Sequence, residues 1–330
     1  MILPHLLLFG SLLGFSYQAE TDRDLQIKVV SDLVVVDADV RDRTNGEVVF
    51  GLSRSDFVLY EDGVKQSVTH FSQDLWPLSV LLVVDSSGST WADFEQLRRR
   101  LMDALRYLRP EDEVALMGTA SRTELIHGFT RDHWRVAEAL QSFHEGSLGD
   151  DGILVHDAVH AAAEYVRVAA DPRKRRAIVF VTDDFGTQSR FKGRSERETL
   201  SEVFETDSTI CAVIIRVVDP VSRQVIKYHP GHQILFHGSV ATYVARTGGE
   251  SIDSKNRDVE AKLAGVIHRL RNRYSLGYVS TNPKRDGGSR RIELKLTPEA
   301  QKRVHSATVR FKRGYYARAA AAPANASPRN

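Results

Sequence analysis

The hydrophobic pattern is sharpest at residues 79–84 (S-V-L-L-V-V), an unbroken small-and-apolar run closed by Asp85 and followed by Ser86-Ser87-Gly88-Ser89-Thr90. A run without alternation predicts a central strand buried on both faces of a parallel sheet. Residues 177–182 (A-I-V-F-V-T) repeat the arrangement and end at Asp183-Asp184, and residues 114–119 and 210–218 predict further strands. Between these runs the period changes to three and four. Phe94, Leu97, Leu101, Leu105 and Leu108 mark a helix stopped by Arg109-Pro110. Trp134, Ala137 and Leu140 mark a brief one, and Val155, Ala158, Val159, Ala162 and Val166 another. Helices are also expected over residues 195–204, 238–246 and 259–273. Strands alternating with helices predict an α/β fold, a doubly wound and mostly parallel sheet with both faces covered.

The flanks read differently. Residues 33–40 begin apolar and then alternate, Asn45-Gly46 is a turn signal, and residues 48–50 restart an extended piece. Residues 57–60 lead into Asp62-Gly63, with Val64, Gln66 and Val68 beyond, a hairpin pattern. Period two returns after residue 273. Tyr274, Leu276 and Tyr278, the turn Asp286-Gly287-Gly288, then Ile292, Leu294 and Leu296 predict a second hairpin-like pair. Ala307, Val309 and Phe311 give one more strand, ending at Gly314-Tyr315-Tyr316. Neither flank holds enough strands to bury a core alone. Residues 27–73 and 274–316 are therefore expected to combine into one small β-sandwich-like domain, with the α/β domain, residues 77–273, inserted between them.

Composition changes this picture little. A chain of 330 residues with a net charge of +2 is comfortable for two domains and too weakly basic to imply nucleic acid. The run Arg173-Lys174-Arg175-Arg176 lacks interleaved aromatics and reads as a solvated connection. The single cysteine, Cys211, lies in an apolar run and allows no intrachain disulfide. Residues 1–19 are apolar and without acidic side chains, with a core too short for a comfortable membrane span. They read as a secretory signal, with a retained membrane anchor or a buried first strand as alternatives; a signal or anchor places the protein outside the cytoplasm, periplasmic or extracellular. Residues 317–330 have no periodic apolar face and read as a disordered tail. Residues 219–236 form an irregular insertion. Its His229 and His232 are separated by Pro230-Gly231, so they do not make the helical two-histidine zinc arrangement.

Candidate chemistry concentrates beyond the carboxyl ends of the two central strands, where open α/β sheets bind ligands. Asp85, Ser87 and Ser89 offer only hard oxygen donors, which favour Mg²⁺, Mn²⁺ or Ca²⁺ over zinc. The same residues also suit a plain turn capping the next helix. The spacing D-x-S-x-S, after an apolar strand, resembles the first loop of the metal-ion-dependent adhesion site of von Willebrand factor type A domains. That resemblance implies a third-loop aspartate, matched by Asp183, and a second-loop threonine. Aligning Asp157-Ala158 with the family pattern puts Ile153, which has no oxygen to donate, at the threonine position; Asp150 or Asp151 is the substitute from the same loop. Residues 56–71, the inserted domain, 274–278 and Gly314-Tyr315 further resemble a bacterial family of type A-related proteins abundant in Acidobacteria, over about residues 27–316. The resemblance implies an exported protein-binding module for adhesion or assembly, whose cation is completed by a Glu or Asp of the partner protein. A metal-independent scaffold with a vestigial site is the alternative. Enzyme readings fare worse: G-x-S-x-G and G-x-G-x-x-G are absent, which leaves no nucleophile elbow and no dinucleotide site, and the carboxylates are few for a metal-assisted hydrolase.

Overall fold

The structure, a computed structural model, describes residues 33–73, 75–87, 94–149, 153–187, 193–215, 235–237, 239–304 and 306–317. In chain order the first strands are β1 (Leu33–Asp42), β2 (Phe57–Glu61), β3 (Val64–Gln66) and β4 (Val68–Ser72). The α/β part follows: β5 (Leu78–Asp85), α1 (Phe94–Ala104), β6 (Glu113–Thr119), β7 (Thr123–Thr130), α2 (His133–Ser142), α3 (Val155–Ala169), β8 (Arg175–Thr182), β9 (Phe185–Thr187), α4 (Glu196–Glu205), β10 (Thr209–Ile215), β11 (Leu235–His237), α5 (Ser239–Thr247), β12 (Ser251–Ser254) and α6 (Val259–Arg271). The chain closes with β13 (Tyr274–Val279), β14 (Ser289–Leu296), α7 (Pro298–Arg303), β15 (Ala307–Phe311) and β16 (Gly314–Tyr316).

The central sheet has the order β12-β10-β8-β5-β6-β7, parallel except for β7 at one edge. Successive residues of β5 enter opposite cores, as a strand's period of two requires. Leu82 and Val84 pack with α1, α2 and α6, whereas Leu81 and Val83 pack with α3 and α5. The apolar runs are uninterrupted because both faces are covered, so the fold class expected from the sequence is the one observed. β7, β9, β11 and β12 had no counterpart in the hydrophobic pattern. β7 is an edge strand with register shifts against β6, and β12 is only four residues long. Trp134, expected on the buried side of α2, is 68% exposed, and Val136 takes its place beside Ala137 and Leu140.

β9 and β11 pair antiparallel in a two-stranded sheet, and the strands of the two flanks form two four-stranded sheets, β15-β1-β13-β4 and β16-β14-β2-β3, around one shared core. Each sheet combines strands from before and after the α/β part: Val36 pairs with Leu276, and Leu59 with Leu294. β13 and β14 thus belong to opposite sheets and do not form the expected hairpin. The Asp62-Gly63 turn is a tight hairpin with positive φ at both residues (48° and 83°). Ala317 N–H still donates to Gly288 C=O, so strand-like pairing runs one residue into the segment expected as a tail; residues 318–330, like 1–32, lie outside the described residues.

Sandwich and α/β part meet where β8 begins. Arg175, only 4% exposed, donates to Asp37 of β1 at 2.9 Å, to the carbonyls of Leu270 and Arg271, and to Ser275 Oγ. Lys174 is 5% exposed and bound to Glu113 at 3.0 Å. The basic run is therefore not the solvated connection expected from the sequence; two of its four cations are buried structural ties. Arg41 of β1 reaches Glu250 at 2.7 Å, and Lys312 reaches the carbonyl of Phe204. This junction lies at the opposite edge of the central sheet from the aspartates. Asp183 lies eight steps along the strand from Arg175, about 26 Å at ~3.3 Å per residue.

Candidate metal centre

Parallel register brings the candidate side chains together. β5 and β8 pair with Val84 beside Val181, so Asp85 and Thr182 are neighbours at the carboxyl edge, and Asp183 follows one residue on. Asp85, Ser86, Ser87, Thr182, Asp183 and Asp184 are all buried there. Asp85 Oδ1 accepts from the Ser87 N–H at 2.9 Å, a short local turn that holds the first loop against its own aspartate. Oδ2 accepts from the Thr182 hydroxyl at 2.6 Å. The Ser86 N–H donates to the Thr119 carbonyl and its own carbonyl accepts from Gly146, which fixes the loop from the β6 side.

Thr182 was missed as a site residue. Its signal in the sequence is the one polar side chain closing the run A-I-V-F-V-T, at the position that register sets beside Asp85. Asp184 was likewise given no role. Its φ of 59° lies in the left-handed region, its N–H donates to Thr182 Oγ1, and its Oδ1 accepts from the Val240 N–H at 3.3 Å in the first turn of α5.

The electrostatics are those of a crowded acidic edge. Burial pushes the Asp85 carboxyl above its ordinary range; hydrogen bonds from Thr182 and Ser87 oppose the shift, and the charge of Asp184 adds to it. A divalent cation at this edge would offset both the desolvation and the repulsion. The donors fit a hard cation and not a soft one, because they are carboxylate and hydroxyl oxygens with no thiolate or imidazole among them. Among the described residues, no three His, Cys, Asp or Glu side chains converge on one point. A cation held by Asp85, Ser87 and Asp183 would thus take much of its shell from hydroxyl and water, a pattern that suits Mg²⁺.

Ser89 and the alternatives Asp150 and Asp151 lie outside the described residues. Ile153 is fully buried in the hydrophobic core beneath α3, with Leu81, Val83 and Phe180. Asp157 instead accepts from the Arg194 N–H at 3.1 Å.

Residues 80–186 match the family model of the von Willebrand factor type A domain. The chain contains a von Willebrand factor type A domain. The match begins within β5 and ends within β9, so it includes Asp85 and Asp183 and leaves the sandwich outside. No curated protein matches the chain. Among solved structures, the chain is similar to BatB from Bacteroides thetaiotaomicron, at 16% identity over 58% of this chain and 98% of that chain, with a TM-score of 0.44. It is also similar to proximal thread matrix protein 1 of the mussel byssus, solved with a zinc-occupied MIDAS motif, at 14% identity over 62% and 48% of the two chains and a TM-score of 0.43. The PilB minor pilin of Streptococcus sanguinis is similar at 11% identity over 61% and 63%, with a TM-score of 0.41. Among the described residues, no helix is long and apolar enough to cross a membrane.

Proposed function

We propose that the protein is an exported protein-binding module, acting in adhesion or assembly, that recognises an acidic side chain of a partner through a divalent cation at the type A edge. One observation carries the reading: parallel register assembles Asp85, Ser87 and Asp183, with Thr182 orienting the first carboxylate, into a buried all-oxygen edge inside the matched domain. Asp85, Ser87 and Asp183 would hold the cation, joined by Ser89 and by Asp150 or Asp151, and the cation would supply the positive charge that a partner carboxylate completes. With few carboxylates in direct contact, the cation stays electrophilic enough to favour an outside Glu or Asp. The reading is recognition without turnover. Export rests on the apolar residues 1–19.

Isothermal titration of Mg²⁺, Mn²⁺ and Ca²⁺ into chelator-stripped protein tests it. The expected outcome is saturable binding that is lost in Asp85→Ala, while the variant keeps its thermal transition. No binding up to millimolar cation would sink the metal-dependent reading and leave a metal-independent scaffold, for which the burial of Ile153 in the core speaks.

A further inference from the structure

A second surface lies on the other edge of the type A domain. A groove of about 390 Å³ opens where α5 meets the sandwich, between Arg246, the outer side of β14 and residues 311–313. Its volume is at the low end of ligand-site sizes, roughly 300–1,000 Å³, enough for a few residues of extended chain.

Charge in the groove is one-sided. Arg291 and Lys295 share the single carboxylate of Glu293, at 3.0 and 3.3 Å. Arg246 and Arg313 are exposed neighbours, joined by a hydrogen bond from the Arg313 N–H to the Arg246 carbonyl, and among the described residues neither has an ion-pair partner. The Arg313 guanidinium is pre-oriented over the Phe311 ring at 4.3 Å. Four cations against one carboxylate leave a strongly positive groove on a chain whose net charge is only +2.

The backbone supplies the second half of the argument. The Ile292 N–H donates to the Arg313 carbonyl, whereas the Arg291 carbonyl accepts from Asp62 on the β2 side. Alternation then turns the Leu294 peptide groups to the same side as Ile292. On that side β16 pairs with residues 289–291 only, and beyond the Arg313 bond β14 is paired with no further strand among the described residues. The groove therefore combines a stretch of strand edge with the oriented guanidinium of Arg313 and the exposed Arg246 beside it.

We propose that this groove docks an acidic extended peptide segment of a partner protein, laid along β14 with its carboxylates on Arg246 and Arg313. Strand addition supplies main-chain hydrogen bonds, and the forked guanidiniums select carboxylates. Glu293 within the groove disfavours a dense polyanion such as a sulfated polysaccharide. The groove is separate from the cation edge: α5 touches Asp184 through Val240 at its start and reaches Arg246 six residues later, about 9 Å along the axis.

Fluorescence anisotropy with a labelled peptide of alternating Glu and Val, in the presence of chelator, tests the proposal. Saturable binding is expected, weakening with salt, absent for the Lys-Val counterpart, unchanged in Asp85→Ala and reduced roughly tenfold or more in Arg246→Glu/Arg313→Glu. Should that double variant fail to fold, Lys295→Glu, whose side chain is 64% exposed, is expected to weaken binding in the same direction. Absence of saturation, indifference to these charge reversals, loss of binding in Asp85→Ala, or tighter binding of heparin than of the peptide would each overturn it.

Discussion

Arg175→Met is the most informative single perturbation of the fold, because it removes the most heavily bonded of the ties between the sandwich and the type A domain. In the wild type Arg175 satisfies Asp37, the carbonyls of Leu270 and Arg271, and Ser275 Oγ, which itself donates to Asp37 at 2.6 Å. Breaking a buried ion pair from one side costs about 3–5 kcal/mol. Asp37 retains 26% of its side-chain exposure, so the lower end, about 3 kcal/mol, applies. Two carbonyls losing a charged donor add about 1 kcal/mol each. The total of about 5 kcal/mol corresponds to a Tm lowered by about 10 °C at ~2 °C per kcal/mol for a chain of this size. Adding Asp37→Asn removes the stranded charge and should restore about 1–3 kcal/mol, the coupling that a double-mutant cycle reads.

The pH dependence has a fixed sign. Burial raises the Asp37 carboxyl, but the charge of Arg175, the Ser275 hydroxyl and Arg273 outweigh it and hold the group below its ordinary value of 3.8. A depressed carboxyl contributes stability above its unfolded value and loses it as pH falls through the folded one. The gap between wild type and Arg175→Met should therefore be full at pH 7 and narrow below about pH 4. Thermal denaturation followed by circular dichroism from pH 7 to pH 3 measures it. A Tm drop under about 3 °C, or a gap that does not change with pH, would refute the argument.

Two further outcomes follow from the packing. Gly248→Ala places a methyl group 2.3 Å from the Phe311 carbonyl carbon, at a φ of +73°, so left-handed strain and overpacking together should cost about 2–5 kcal/mol; a denaturant midpoint equal to wild type would show that the 248 turn and β15 are not in contact in solution. Cys211 is buried and its thiol is pushed up to about 11 by burial. At pH 8 about one molecule in a thousand carries the thiolate, so a disulfide reagent should label it only on unfolding, and rapid labelling of the native protein would contradict the position of β10.

The sheet was legible in the sequence because burial on both faces removes alternation. β5 and β8 announce themselves, and the helices between them keep their apolar stripes. What the hydrophobic pattern missed depends on partners that lie far away in the chain. β7, an edge strand with shifted register, carries no clean period, and Trp134 fitted a helical spacing without belonging to the buried face. The Asp286-Gly287-Gly288 turn suggested that its flanking strands pair with each other. They cross to opposite sheets instead, where Leu276 finds Val36 and Leu294 finds Leu59. The run 173–176 looked solvated because a cationic string usually is. Arg175 is buried because Asp37, 138 residues earlier in the chain, stands ready to receive it.

The candidate site shows the same division between local and distant information. Asp85, Ser87 and Asp183 could be named from two strand ends, each read alone. Thr182 could not, because its role appears only when the strands are set side by side. With Val84 beside Val181, the endings V-V-D and F-V-T-D no longer align aspartate with aspartate: Thr182 falls beside Asp85, and Asp183 projects one residue further. That offset places a hydroxyl donor against the first carboxylate and moves the second carboxylate beyond it. Two aspartates at the same level of adjacent strands, ~4.8 Å apart, would repel each other directly. Staggered, with Thr182 between them, they leave room at the sheet edge for a cation whose remaining shell is supplied from outside.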